Sequence, residues 1–102
     1  MRVEVSRRAM RQWQQILIYY NETGGRRAAE KLYEKYLSRL KRILEYPESG
    51  FPEPLLKNRK IFYRAIIINK YYKVIYSVEG DTLRIAAFWD MRMHPDKLRR
   101  RI

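Results

Sequence analysis

The sequence predicts an α+β domain: a twisted antiparallel sheet of about four strands with an N-terminal helical hairpin packed on one face. Three observations predict it. Apolar residues in the first half recur at helical spacing in two blocks separated by Gly24-Gly25. Residues 60–89 hold three runs rich in Ile, Val, Tyr and Phe, separated by turns of two residues. Hydrophobic residues make up 46% of 102, which suits one core and therefore a single domain over 1–102.

Each element has a local reason. Met1 to Val5 reads as a short strand with Val3 and Val5 on one face. Ser6 is a good helix N-cap, and Ala9, Trp13, Ile16, Leu17 and Tyr20 then mark one helical face. Gly24-Gly25 stops that helix. A second begins near Arg26, shows Ala29, Leu32, Tyr33, Tyr36, Leu40, Ile43 and Leu44 at helical spacing, and ends before Pro47. Two such helices with a tight break form an antiparallel hairpin. The segment 47–54, with three prolines and a glycine, is a loop. Strands follow at Lys60 to Ile68, Tyr71 to Val78 and Thr82 to Trp89, joined by Asn69-Lys70 and Gly80-Asp81. Pro95 opens a last, strongly basic helical turn over Asp96 to Ile102.

Composition excludes much. With no Cys, there is no disulfide framework and no thiolate chemistry. His94 is the only histidine, so multi-histidine metal sites are nearly excluded, and no metal or cofactor is expected. Neither phosphate-binding glycine pattern occurs. No apolar run is long enough for a membrane span or a secretory leader, so the expectation is a soluble cytoplasmic protein. The formal charge of +12 is spread along the chain: eleven basic and six acidic residues in 1–51, twelve and five in 52–102. Such a balance suits a polyanion: nucleic acid, an anionic surface or an acidic protein.

Two-residue turns imply a register. Ile66 then faces Lys73 and Arg64 faces Ile75, while Tyr76 faces Ile85 and Val74 faces Ala87. Alternation places Tyr63, Ala65, Ile67, Val74, Tyr76, Ile85, Ala87 and Trp89 on an uncharged face for the hairpin to cover. The opposite face receives Arg64, Lys73, Arg84 and Arg92 among Phe62, Tyr71 and Phe88. Cations among exposed rings are what single-stranded nucleic acid needs, so Arg84, Tyr71 and Phe88 are candidate nucleic-acid-binding residues. A solvated basic face is the plainer alternative. So are a solvent-facing stripe for Arg27, Lys31, Lys35 and Arg39, a frayed basic end for Arg99-Arg100-Arg101, and a capping or loop role for His94.

The order strand, two helices, three-strand meander resembles the RelE/ParE superfamily of type II toxin–antitoxin toxins over nearly the whole chain. The matching pieces are Val3-Glu4-Val5-Ser6-Arg7-Arg8-Ala9, Ala28-Ala29-Glu30-Lys31-Leu32, Tyr46-Pro47-Glu48-Ser49-Gly50, Tyr72-Lys73-Val74-Ile75-Tyr76 and the end from Arg92 to Pro95. The resemblance implies a toxin that either cuts mRNA on the ribosome, RelE-like, or poisons DNA gyrase, ParE-like. It also implies a cognate antitoxin, with a homodimer left open and no membrane. An acidic antitoxin would shield the Arg64/Lys73/Arg92 face or clasp the hairpin.

Metal-free RNA cleavage needs a base for the 2′-hydroxyl, charge stabilisation at the phosphorane and a proton for the leaving oxygen. Carried over from the family, Lys73 and Arg92 would meet the phosphate and its transition-state charge, Arg64 would anchor substrate, and His94 would donate the proton. Ile66 replaces a second basic residue of the ribonuclease members. Leu98 and Arg99 occupy the region of their C-terminal Tyr. The alternative is a non-toxic basic nucleic-acid-binding domain.

Overall fold

In the computed structural model, which describes residues 1–102, the chain runs β1 (Arg2–Val5), α1 (Arg7–Gly24), α2 (Arg26–Glu45), β2 (Phe51–Pro52), β3 (Arg64–Ile67), β4 (Tyr72–Glu79), β5 (Thr82–Asp90) and α3 (Pro95–Arg101). Ser6 caps α1 as expected, its Oγ accepting the Ala9 N–H at 3.1 Å. Gly25 has φ 84°, a backbone conformation that glycine adopts without strain, and it turns α1 directly into α2.

The sheet order is β1-β5-β4-β3-β2. It has five strands, and β1 joins the edge parallel to β5, so the sheet is mixed and not purely antiparallel. The extra strand, β2, comes from the segment expected to be loop. The strand expected over Lys60 to Ile68 shortens to β3.

Two features change the register. Ile67 pairs with Lys73 and Ala65 with Ile75, one residue away from the two-residue expectation. Asn69 causes the slip: its Oδ1 accepts the N–H groups of both Tyr71 and Tyr72, at 2.9 and 3.0 Å. That local side-chain bond favours a three-residue connection, with Ile68 bonded to Tyr72. The Gly80-Asp81 turn does hold two residues, and Val78 pairs with Leu83 and Tyr76 with Ile85. A bulge then intervenes, so Ile75 meets Ala87 and Val74 meets Phe88. At this bulge β5 extends past the end of β1, and α1 takes over its backbone groups. Ser6 donates to the Ala86 carbonyl at 3.2 Å and Gln12 accepts the Phe88 N–H at 2.9 Å.

The sheet consequently has two cores. The hairpin side holds Ile66, Ile68, Val74, Tyr76, Leu83, Ile85 and Phe88 against Trp13, Leu32, Tyr36 and Ile43. Trp13 stacks on Phe88 at 4.7 Å between centroids, and Tyr36 meets both. The second face buries Ala65, Ile75, Ala87 and Trp89 beneath Leu56 and the α3 residue Leu98. Ala65, Ala87 and Trp89, expected under the hairpin, lie on this second face, and Ile67 is 45% exposed.

Candidate functional site

The register decides where each predicted site residue falls. Lys73 pairs with Trp89 and points into the second face, where it is 8% exposed. There it forms an ion pair with Glu53, itself 1% exposed. Glu53 also accepts the Leu55 N–H at 3.1 Å, so one carboxylate caps a turn and neutralises a buried ammonium. Lys73 is thus not part of an open cationic face.

Arg92 is on the other side, beyond the end of β5. Its guanidinium donates to both oxygens of Asp90 at 2.9 Å and to the Tyr72 hydroxyl at 3.4 Å. It stacks 4.1 Å over the Tyr71 ring, which Lys70 approaches at 4.9 Å. The Arg92 hydrogen bonds hold the Asp90 carboxyl below its usual range, outweighing partial burial. Burial, with Tyr20 and Asp90 nearby, pushes the Tyr72 phenol up, so it stays protonated at neutral pH. Arg92 and Tyr71 are therefore brought together, as the sequence expectation had them.

The other candidates disperse. Arg64 pairs with Tyr76 and donates to the Gly50 and Glu48 carbonyls at 2.9 and 3.3 Å, with its guanidinium 4.9 Å over Phe62. Arg84 is exposed on the second face opposite Ser77, as predicted. His94 caps α3, its Nδ1 accepting the Asp96 N–H at 3.2 Å. Phe88, expected on the exposed basic face, is 3% exposed in the hairpin-side core, because the bulge turns it inward.

Sequence reasoning missed Glu53, whose place between Pro52 and Pro54 was the available signal of a fixed turn. It placed Asn69 in a two-residue turn with Lys70 and missed the side-chain bonds by which this residue type closes a longer one. No helix is long and apolar enough to cross a membrane.

The family model of the ParE toxin of the type II toxin–antitoxin system parDE matches residues 3–95. The chain belongs to the ParE toxin family. Membership bears out the RelE/ParE resemblance, and solved structures share the ParE-type fold. The chromosomal ParDE toxin–antitoxin system from P. aeruginosa aligns at a TM-score of 0.70 and 16% identity, over 88% of this chain and 95% of that one. The YoeB dimer from Staphylococcus aureus aligns at 0.61 and 22%, over 86% and 93%. A YoeB/ParE toxin from Agrobacterium tumefaciens aligns at 0.58 and 17%, over 88% and 98%. No curated protein matches the chain in sequence. Within the ParE family frame, the polar constellation that reaches the surface of this chain is exposed Arg92 with half-buried Tyr71 and Asp90 above buried Tyr72, not a four-residue basic cluster.

Proposed function

We propose that this chain is the toxin of a type II toxin–antitoxin module, that it acts by binding DNA gyrase and not by cutting mRNA, and that a cognate antitoxin neutralises it. The observation that carries the reading is the dispersal of the cleavage candidates. One scissile phosphate needs a base, an acid and a charge stabiliser within hydrogen-bond reach together. Here Lys73 is consumed by Glu53 on the second face, Arg64 is bound to backbone carbonyls, and Arg92 lies on the opposite side from Lys73. Such a surface is suited to contact without covalent chemistry, with Arg92 and Tyr71 as its contact residues. The ParE family membership points the same way.

Neutralisation fits the hairpin. Ile18, Tyr33 and Leu37 are exposed large apolar residues, and a groove of about 460 Å³ runs between α1 and α2, lined by Leu17, Ile18, Ala29 and Tyr33. The apolar face of an amphipathic antitoxin segment matches that groove, whose charged lining is Glu22, Arg26 and Glu30, and acidic residues on its other face match the +12 charge of the chain as a whole. A YoeB structure is described as a dimer; a homodimer of this chain is tested by light scattering. Action on gyrase places the toxin in the cytoplasm.

The deciding assay is supercoiling of relaxed plasmid by purified gyrase with the purified chain. Inhibition, with transcripts intact in induced cells, is expected. Unaffected supercoiling at excess toxin, with mRNA cleaved on induction, overturns the reading in favour of an endoribonuclease. Arg92→Ala is expected to relieve growth arrest.

A further inference from the structure

Around the start of α1 and the end of α3 the chain carries a charge imbalance that no acidic side chain balances and the gyrase reading does not use; within it Arg8 donates to the Arg101 carbonyl and the Arg101 guanidinium lies 5.9 Å from the centre of the Trp89 ring. Arg7, Arg8 and Arg11 of α1, Arg84 of β5 and Arg101 of α3 line one groove of about 500 Å³. Arg8, Arg11 and Arg101 also line an adjoining groove with Gln12 and Gln15, so the basic surface is continuous. No Asp or Glu lines either groove. None of the five guanidinium groups forms a salt bridge within the chain. Glu4, the register partner of Arg84, is bound by Arg2 at 2.8 Å. The Ile102 carbonyl is bound by Arg59.

We propose that this groove binds the phosphodiester backbone of duplex DNA. Five like charges from three elements repel one another unless an anion is placed among them. All five are arginines, whose planar fork matches two phosphate oxygens at once. The aromatic ring in the groove, Tyr63, packs against the second core, and Trp89 and Phe88 are buried. The groove therefore offers charge without a free platform for unstacked bases, which favours a duplex backbone over a single strand. The inference goes beyond the target reading and does not depend on it, since binding is measured on DNA alone.

The test is fluorescence anisotropy of a labelled mixed-sequence duplex of about 30 base pairs with the purified full chain, from about 50 to about 200 mM salt. Combining Arg7→Gln, Arg11→Gln and Arg84→Gln should weaken binding about tenfold or more. The slope of log K against log salt should fall by about 2 to 3. Arg27→Gln, Lys31→Gln and Lys35→Gln together remove the same charge from exposed positions on α2 and should change affinity by about twofold at most. All six side chains are exposed, so circular dichroism melts should stay unchanged. If the first triple variant does not fold, Arg84→Gln alone should lower the slope by about 1. Equal losses in the two triple variants, no duplex binding, tighter binding of single strand, or displacement by polyglutamate as effective as by unlabelled duplex would each overturn the proposal.

Discussion

Lys73 and Glu53 form an ion pair on the sheet face turned away from the helical hairpin, with both side chains almost fully withdrawn from water. The lysine is reached from β4 and the carboxylate from the turn between β2 and β3, so the pair fastens that turn to the centre of the sheet.

Removing one partner strands the other charge in a buried site. Lys73→Met should therefore cost about 3 kcal/mol or more, and adding Glu53→Gln should recover most of it. Urea unfolding at neutral pH measures this as a shift in midpoint. A lysine acting on RNA would instead lose toxicity with stability unchanged.

Phe88 fills the space between Trp13 and Tyr36. Phe88→Ala should destabilise the fold by about 3 to 5 kcal/mol through the cavity it leaves. A ring used only to stack bases would give a stable variant with weaker nucleic-acid affinity, and thermal melting separates the two outcomes.

Tyr76, fully buried, donates its hydroxyl to the Pro47 carbonyl at 2.7 Å and accepts the Gly50 N–H at 3.0 Å. Tyr76→Phe should cost about 1 to 3 kcal/mol, because both backbone groups lose their partner. Gly50→Ala should be harmful by a different route: its Cβ would lie 2.8 Å from the Ala65 carbonyl and overlap the Tyr76 hydroxyl. Urea midpoints of the two variants and their double mutant measure the coupling.

Asp90 titrates below its ordinary value because Arg92 hydrogen-bonds its charged form. A carboxyl depressed on folding contributes stability that is present above its unfolded pKa and is lost as pH falls through the lower, folded value. Stability should therefore decline below about pH 4, and Asp90→Asn should flatten that decline. Urea midpoints across the acid range check it; an identical acid limb in the variant would contradict the assignment.

Local chemistry in the sequence determined the elements. Ser6, Gly24-Gly25 and Pro47 bound the two helices where they were expected, and Gly80-Asp81 makes the tight turn. The order of elements, with motifs such as Tyr72-Lys73-Val74-Ile75-Tyr76, was enough for the RelE/ParE superfamily and its fold, and the family model over residues 3–95 narrowed it to ParE. Those features depend on neighbours within a few residues, and a sequence displays them directly.

Which face each strand residue took was decided only in three dimensions. Side chains on a strand alternate, so one extra residue in a turn or one bulge exchanges the two faces. Asn69 closed a three-residue connection and slipped β3, while Ser6, the cap of α1, and Gln12 within that helix held the bulge that turned Phe88 inward. Leu98 of α3 then covered a face that composition alone had left open to solvent. Helix boundaries were legible because they are local. The destinations of Lys73 and Phe88 were not, because they depend on partners 20 and 75 residues away in sequence, Glu53 and Trp13.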